Sequence, residues 1–336
     1  MYIRREVHPS VIWFFSRKAV FFFALLSVLV YVAYARLKIT FIAIPFLPVA
    51  TIGTAVAFYV GFKNNASYER LWEARKIWGE IEHLCRMWAL MVTSLSLPDE
   101  ASPGFSQDEK RVLIYRQLAW VNALRIMLRN KHPFQDEEIG SSQQVRLVER
   151  KGGPTDIFID ASAELAPFLT AAEIEQVSRN SNIAFALIDS QMKAIFELKN
   201  RGLSNQSADK LYDLLKDCSQ QQCASERLNN FPFPRQYAHF SSLFVNIFIV
   251  LLPFSLLSEL KADPTNLWLV IPFSILISWV FFTMEKVGDS SENPFENGIN
   301  DVPLSSICRD IEIQLRSVLH EQDLPAPLVA TDFVLM

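Results

Sequence analysis

The chain has 336 residues, half of them apolar and 26 of them Phe, with a formal net charge of −4. That length leaves room for a membrane bundle beside a soluble lobe, and the slight acidic balance excludes a basic surface built for nucleic acid. Of Cys85, Cys218, Cys223 and Cys308 only Cys218 and Cys223 are close in sequence, with no histidine beside them, so free thiols in a reducing compartment are expected rather than a zinc or disulfide pair.

Along the chain, Ala19 to Ala35 and Ile39 to Phe62 carry no formal charge. Each is a candidate transmembrane helix, since about 20 apolar residues at ~1.5 Å each cross the hydrocarbon core. Arg36-Leu37-Lys38 turns this first hairpin, and Arg17, Lys18 and Arg36 flank the shorter span where long side chains can snorkel. From Asn65 to Val92 apolar residues recur at helical spacing (Leu71, Ile77, Ile81, Leu84, Trp88, Met91). Pro98 to Pro103 reads as a break, Ser106 to Asn130 as a helix and Lys151 to Pro154 as a loop. Thr170 with Glu173 is a capping-box pattern opening a short helix to about Arg179. Helices are expected over Ile183 to Lys199 and Ser207 to Asn229, after which Phe231-Pro232-Phe233-Pro234 leads into the uncharged windows Gln236 to Ser258 and Pro264 to Met284, which turn around Glu259 to Pro264.

The expected architecture is all-α, a four-span transmembrane protein with a helical lobe. Residues 1–62 hold the N-terminal segment and first hairpin, and 63–235 the lobe. Residues 236–285 hold the second hairpin, and 286–336 a tail packing on the lobe. With four spans, both termini and the lobe share one side, and Arg4, Arg5, Arg17, Lys18, Lys63, Arg70, Arg75 and Lys76 favour the cytoplasm, although Arg36 and Lys38 on the outer hairpin oppose that orientation.

The second span carries two stripes. Gly53, Ala57 and Gly61 repeat every four residues, as close helix packing in lipid requires. Thr54, Phe58 and Phe62 repeat likewise on a face about 100° away. If copies surround an axis, this second stripe can form a narrow apolar neck that gates by dewetting, with positive ring edges tolerating anions. The same periodicity also fits ordinary helix-packing core. Because none of the four uncharged windows holds an Asp, Glu, Lys or Arg, a proton- or ion-coupled transporter is disfavoured.

The segment GFKNNASYERLWEARKIWG (Gly61 to Gly79) resembles the signature after the second span of bacterial bestrophins. CASERLNNFPFPRQYA (Cys223 to Ala238), ENPFENGINDVPL (Glu292 to Leu304) and Cys308 to Ile313 resemble later bestrophin segments in the same order. The resemblance covers nearly the whole chain. It implies a homopentamer in an inner membrane around one central pore, passing chloride or other small monovalent anions, with lipid and copies of itself as partners and no cofactor. Matched on Gly61-Phe62, the family's neck falls on Thr54, Phe58 and Phe62, where Thr54 replaces a bulky apolar residue and is expected to wet one end. Lys63, Asn64 and Asn65 are then expected to ring an inner vestibule, and a cytoplasmic aperture falls on Leu215, which also suits a core leucine.

Animal bestrophins open on calcium. Of the matching positions here, Asn293 and Asp301 are remnants and Gly298 stands where another carboxylate belongs, so calcium control is not expected. Asp301 equally suits a cap of the tail helix. Arg36 and Lys38 at the outer mouth favour anions, whereas Glu69, Glu73, Glu80 and Glu82 beyond the neck favour cations unless they are paired. A sodium-selective channel of the same fold and a non-conducting membrane scaffold are the alternatives. His8, His83, His132, His239 and His320 are scattered and no HExxH, GxSxG or phosphate loop occurs, so no enzyme is expected.

Overall fold

The computed structural model describes residues 1, 9–95, 106–129, 161–231, 233–261, 265–330 and 334–335. The expected break at Pro98 to Pro103, the loop at Lys151 to Pro154 and the tip of the second hairpin at 262–264 lie outside these residues. Among the described residues the helices are α1 (Pro9–Ala35), α2 (Phe46–Ser94), α3 (Gln107–Arg129), α4 (Ala161–Leu165), α5 (Ala171–Ser178), α6 (Ile183–Asn200), α7 (Asn205–Asn230), α8 (Arg235–Leu260), α9 (Val270–Asp289) and α10 (Leu304–Val318). Four of these contain stretches long and apolar enough to cross a membrane: α1, α2, α8 and α9, the second and last extended by a short 3-10 turn. The protein is an all-helical membrane protein.

The chain divides into two compact units. The span unit takes Arg4–Arg70 and Pro232–Asn293, and the lobe unit takes Leu71–Phe231, Pro294–Met336 and Met1–Ile3. The division at Arg70 falls inside α2. The uncharged window to Phe62 and the helical spacing from Asn65 belong to a single helix of 49 residues. Neither glycine nor proline interrupts 62–78, so nothing there breaks the hydrogen-bond ladder.

In the span unit, α1 packs on α8 and α9, and α8 packs on α9. Phe23 of α1, Val49, Val56 and Val60 of α2, and Val245, Phe248, Ile249 and Leu252 of α8 form one apolar core. Phe21, Phe22, Leu25 and Leu29 remain exposed on α1, the apolar outer face that lipid accepts. Lys38 ends the first hairpin in the left-handed region at φ 56°, a conformation that stops a helix.

The lobe unit buries Trp78, Trp88 and Trp120 with aliphatic residues from α2, α3, α6, α7 and α10. Its α5 opens on the expected capping box: Glu173 N–H donates to Thr170 Oγ1 at 3.4 Å and Thr170 N–H to Glu173 Oε2 at 3.0 Å. Burial opposes ionisation of Glu173, but the bonds from Thr170 and Arg116 outweigh it and hold the carboxyl below its ordinary value. Polar side chains the sequence reading passed over tie this core together. Gln191 Nε2 donates to Gln117 Oε1 at 2.7 Å, and Gln117 Nε2 lies 3.5 Å from both Cys85 Sγ and Cys218 Sγ. All four cysteines are free, and burial pushes Cys218 up to about 12 and Cys308 up to about 11, which leaves them inert thiols.

Candidate functional site

The part of α2 within the span unit has two unlike faces. Val49, Gly53, Val56, Val60, Lys63 and Ser67, spaced by alternating steps of four and three, are buried. At Gly53 a neighbouring helix comes close: a Cβ there would lie 2.6 Å from Phe248 Cε2. Of the stripe assigned to packing, Gly53 alone is fully enclosed within the chain. Ala57 is half-buried, and Gly61 is exposed with no neighbour within 4 Å of an added Cβ.

The opposite face carries the other stripe. Phe58 is 67% exposed and Phe62 66%, and Thr54 is exposed one turn before them. Thr54 Oγ1 donates back to Ala50 O at 3.1 Å, so its hydroxyl proton is spent within the helix and its lone pairs face outward. Thr54 and Phe58 also border an open apolar groove of about 510 Å³ floored by Gly53 and Phe248.

Two sequence-derived positions are corrected here. Lys63 does not line a vestibule. It is fully buried, donating to Glu285 Oε1 at 2.7 Å and pairing with Asp289. Beside it, Asn64 is half-buried and donates to Met284 O at 2.9 Å, while Asn65 is exposed and donates to Glu69 Oε1 at 2.9 Å. Leu215 cannot line an aperture either. It has no exposed surface and sits in the lobe core with Leu211 and Cys218. Arg36 and Lys38 are exposed. Glu73 pairs with Arg227 at 2.9 Å, and Glu82 pairs with Arg86.

After α9, Asp301 does not cap α10. That helix begins after Pro303 with no side-chain cap. Instead the Asp301 carboxylate accepts from Gly298 N–H at 2.8 Å, and a Cβ on residue 298 would sit 3.1 Å from it. Glycine at 298 therefore makes room for this loop.

Comparison with known proteins completes the picture. The family model described as Bacterial/Fungal Bestrophin protein matches residues 2–317. The chain belongs to the bestrophin family. This bestrophin is 30% identical over 327 residues to the voltage-dependent anion channel-forming protein YneE of Escherichia coli O157:H7, covering 96% of this chain and 92% of that one. It is 28% identical over 287 residues to the voltage-dependent anion channel-forming protein mll4386 of Mesorhizobium japonicum, covering 82% and 75%. A crystal structure of a bacterial bestrophin homolog from Klebsiella pneumoniae shares the fold at a TM-score of 0.73 and 23% identity, covering 90% of this chain and 98% of that one. The family is one of channel-forming proteins, not of enzymes.

Among the described residues no three His, Cys, Asp or Glu side chains gather into a group. Burial, opposed by the Gly298 N–H and assisted by Glu296, pushes the Asp301 carboxyl up to about 7. A carboxyl raised in the folded state favours folding most below its ordinary value, 3.8, and that contribution is lost as pH rises through about 7. Asp301→Asn keeps an acceptor for Gly298 and does not titrate. Its thermal midpoint is expected to gain on the wild type between about pH 5 and about pH 8. A gap that stays constant with pH would refute this account of Asp301.

Proposed function

We propose that this bestrophin is a homopentameric channel that passes chloride and other small monovalent anions down their gradient through a neck formed by Thr54, Phe58 and Phe62. The observation that carries the reading is the exposed Phe58/Phe62 pair on a membrane-spanning helix whose opposite face is already buried. The similarity to proteins named as anion channel-forming supports it. Flow is passive, so no residue does covalent chemistry. A ring of Phe side chains leaves water few hydrogen-bond partners, and the neck conducts when it is wide enough to stay wet. Ring edges meet a passing anion with partial positive charge. Arg36 and Lys38 would concentrate anions at the outer mouth, and Asn65 would face the wet inner side, with lobe and termini cytoplasmic.

A sodium-selective channel would draw on acidic side chains beyond the neck; Glu73 and Glu82 each pair with an arginine, whereas Glu69 and Glu80 are exposed. Reconstitution in a planar bilayer under a chloride salt gradient tests the proposal. A reversal potential near the chloride equilibrium value is expected. A reversal near the cation value would transfer the reading to sodium, and absence of current would leave the scaffold reading. Within the neck, Thr54→Ile removes the outward lone pairs and adds apolar bulk, so conductance is expected to fall about threefold, a barrier change of ~0.7 kcal/mol. Unchanged unitary current would remove Thr54 from the ion path.

A further inference from the structure

We propose that Lys63 is a positioning residue for the neck, locking the rotation and register of α2 so that Phe58 and Phe62 hold one orientation. The proposal rests on the neck reading above, and it is carried by a cluster that the channel function does not itself call for.

Lys63 follows Phe62 directly and has no exposed surface. Its ammonium meets Glu285 Oε1 at 2.7 Å and pairs with Asp289, both on α9. Ser241 of α8 donates to Glu285 Oε2 at 2.6 Å, and Lys286 pairs with Asp289 at 3.0 Å. The quartet Lys63, Lys286, Glu285 and Asp289 is charge-balanced, and with Ser241 three helices contribute to the cluster. Asn64 adds a second tie to α9 through Met284 O, and its Oδ1 occupies space that Gly288 leaves open: a Cβ on residue 288 would lie 2.1 Å from it.

Elsewhere on the α2 seam, Gly53 lies close under Phe248, while Val49, Val56 and Val60 make non-directional apolar contacts that tolerate small rotations. A buried ammonium held by two carboxylates is directional, because charge-assisted hydrogen bonds weaken steeply when misaligned. Residues 62 and 63 differ by about 100° around a helix, and 58 and 63 by about 140°. Anchoring Lys63 to α9 therefore turns both rings away from that contact. A one-residue slip would move the ammonium by about 1.5 Å along the axis and swing it by about 100°, off both carboxylates. Buried ion clusters are poor sources of net stability and are better suited to specifying one arrangement.

The test separates the lock from simple stability. Lys63→Met alone strands buried negative charge, so the informative variant is K63M/E285Q, which removes one charge of each sign. Asp289→Asn is the milder companion, because Asp289 is partly exposed and Asn can still accept. Each is combined with Phe62→Cys, and the rate of current block by a charged methanethiosulfonate reagent is measured beside unitary conductance. K63M/E285Q is expected to assemble with a thermal midpoint near the parent's. It is expected to shift the modification rate of the thiol introduced at position 62 on the order of tenfold, as loss of a charge-assisted contact allows, and to break the single conductance level into several. D289N should move both readouts in the same direction by less. If K63M/E285Q assembles and both readouts match the parent, the lock is overturned. If it does not assemble, D289N decides, and parental values there overturn it. The Phe58→Ala/Phe62→Ala channel without lock changes is the control. No effect of that control refutes the neck reading itself, whereas a strong effect with silent lock variants refutes only the lock.

Discussion

Alanine at both Phe58 and Phe62 is expected to raise unitary chloride conductance on the order of tenfold, which corresponds to removing ~1.4 kcal/mol of barrier. The two rings are about two-thirds exposed on the single chain, so they contribute little to its core. Substitutions at such positions are usually within about 0.5 kcal/mol in stability. The effect should therefore appear in current and not in folding. Removing the rings widens the constriction and lets water persist in it, and permeability ratios among halides should flatten as the dehydration step weakens. Single-channel recording under symmetrical and then asymmetrical salt measures both quantities. Wild-type conductance in the double variant would place the barrier elsewhere.

The second large effect is on stability and lies in the lobe unit. Trp120 is fully buried, and its Nε1 donates to Gln222 Oε1 at 2.9 Å, while Gln222 Nε2 reaches Glu226 Oε1 at 2.8 Å. Trp120→Ala is expected to cost about 3–5 kcal/mol by opening a cavity, and it also orphans the Gln222 acceptor. Trp120→Phe keeps most of the volume and loses the donor, so about 1–3 kcal/mol is expected for the unsatisfied group. Thermal unfolding of the purified protein should rank wild type above W120F and W120F above W120A. A W120F midpoint equal to wild type would show that the Trp120–Gln222 bond contributes nothing net.

The four spans were legible because uncharged windows of that length have few other uses, and α6 and α7 were legible from helical spacing. The Thr170 cap was legible because two residues three positions apart specify it locally. The continuity of α2 was not: a charged and amide-rich string after an apolar run looks like a membrane exit, although Lys63-Asn64-Asn65 keeps every helical hydrogen bond available. The burial of Lys63 was hidden for the same reason, since a lysine at the end of a span ordinarily snorkels and its partners lie 222 and 226 residues away. Leu215 is a different case. Ala208, Leu211, Leu215, Cys218, Gln222 and Ser225 recur at three- and four-residue steps and are all buried. That seam was visible in the sequence, and it marks Leu215 as core. Exposure of the Thr54 stripe could be framed from periodicity, but only the packing of Phe248 on Gly53 distinguishes the face that is covered from the face left open.

The charge balance of the Lys63 quartet has an electrical consequence. An elementary charge moved through the whole of a 100 mV membrane potential gains or loses about 2.3 kcal/mol. Two ammonium groups and two carboxylates sum to zero, so a uniform field does no net work when they are translated together as a rigid group. Moved as a unit along the membrane normal, the quartet would carry no net gating charge. A net gating charge would then come from charges outside the quartet, such as Arg36 and Lys38 on the exposed turn.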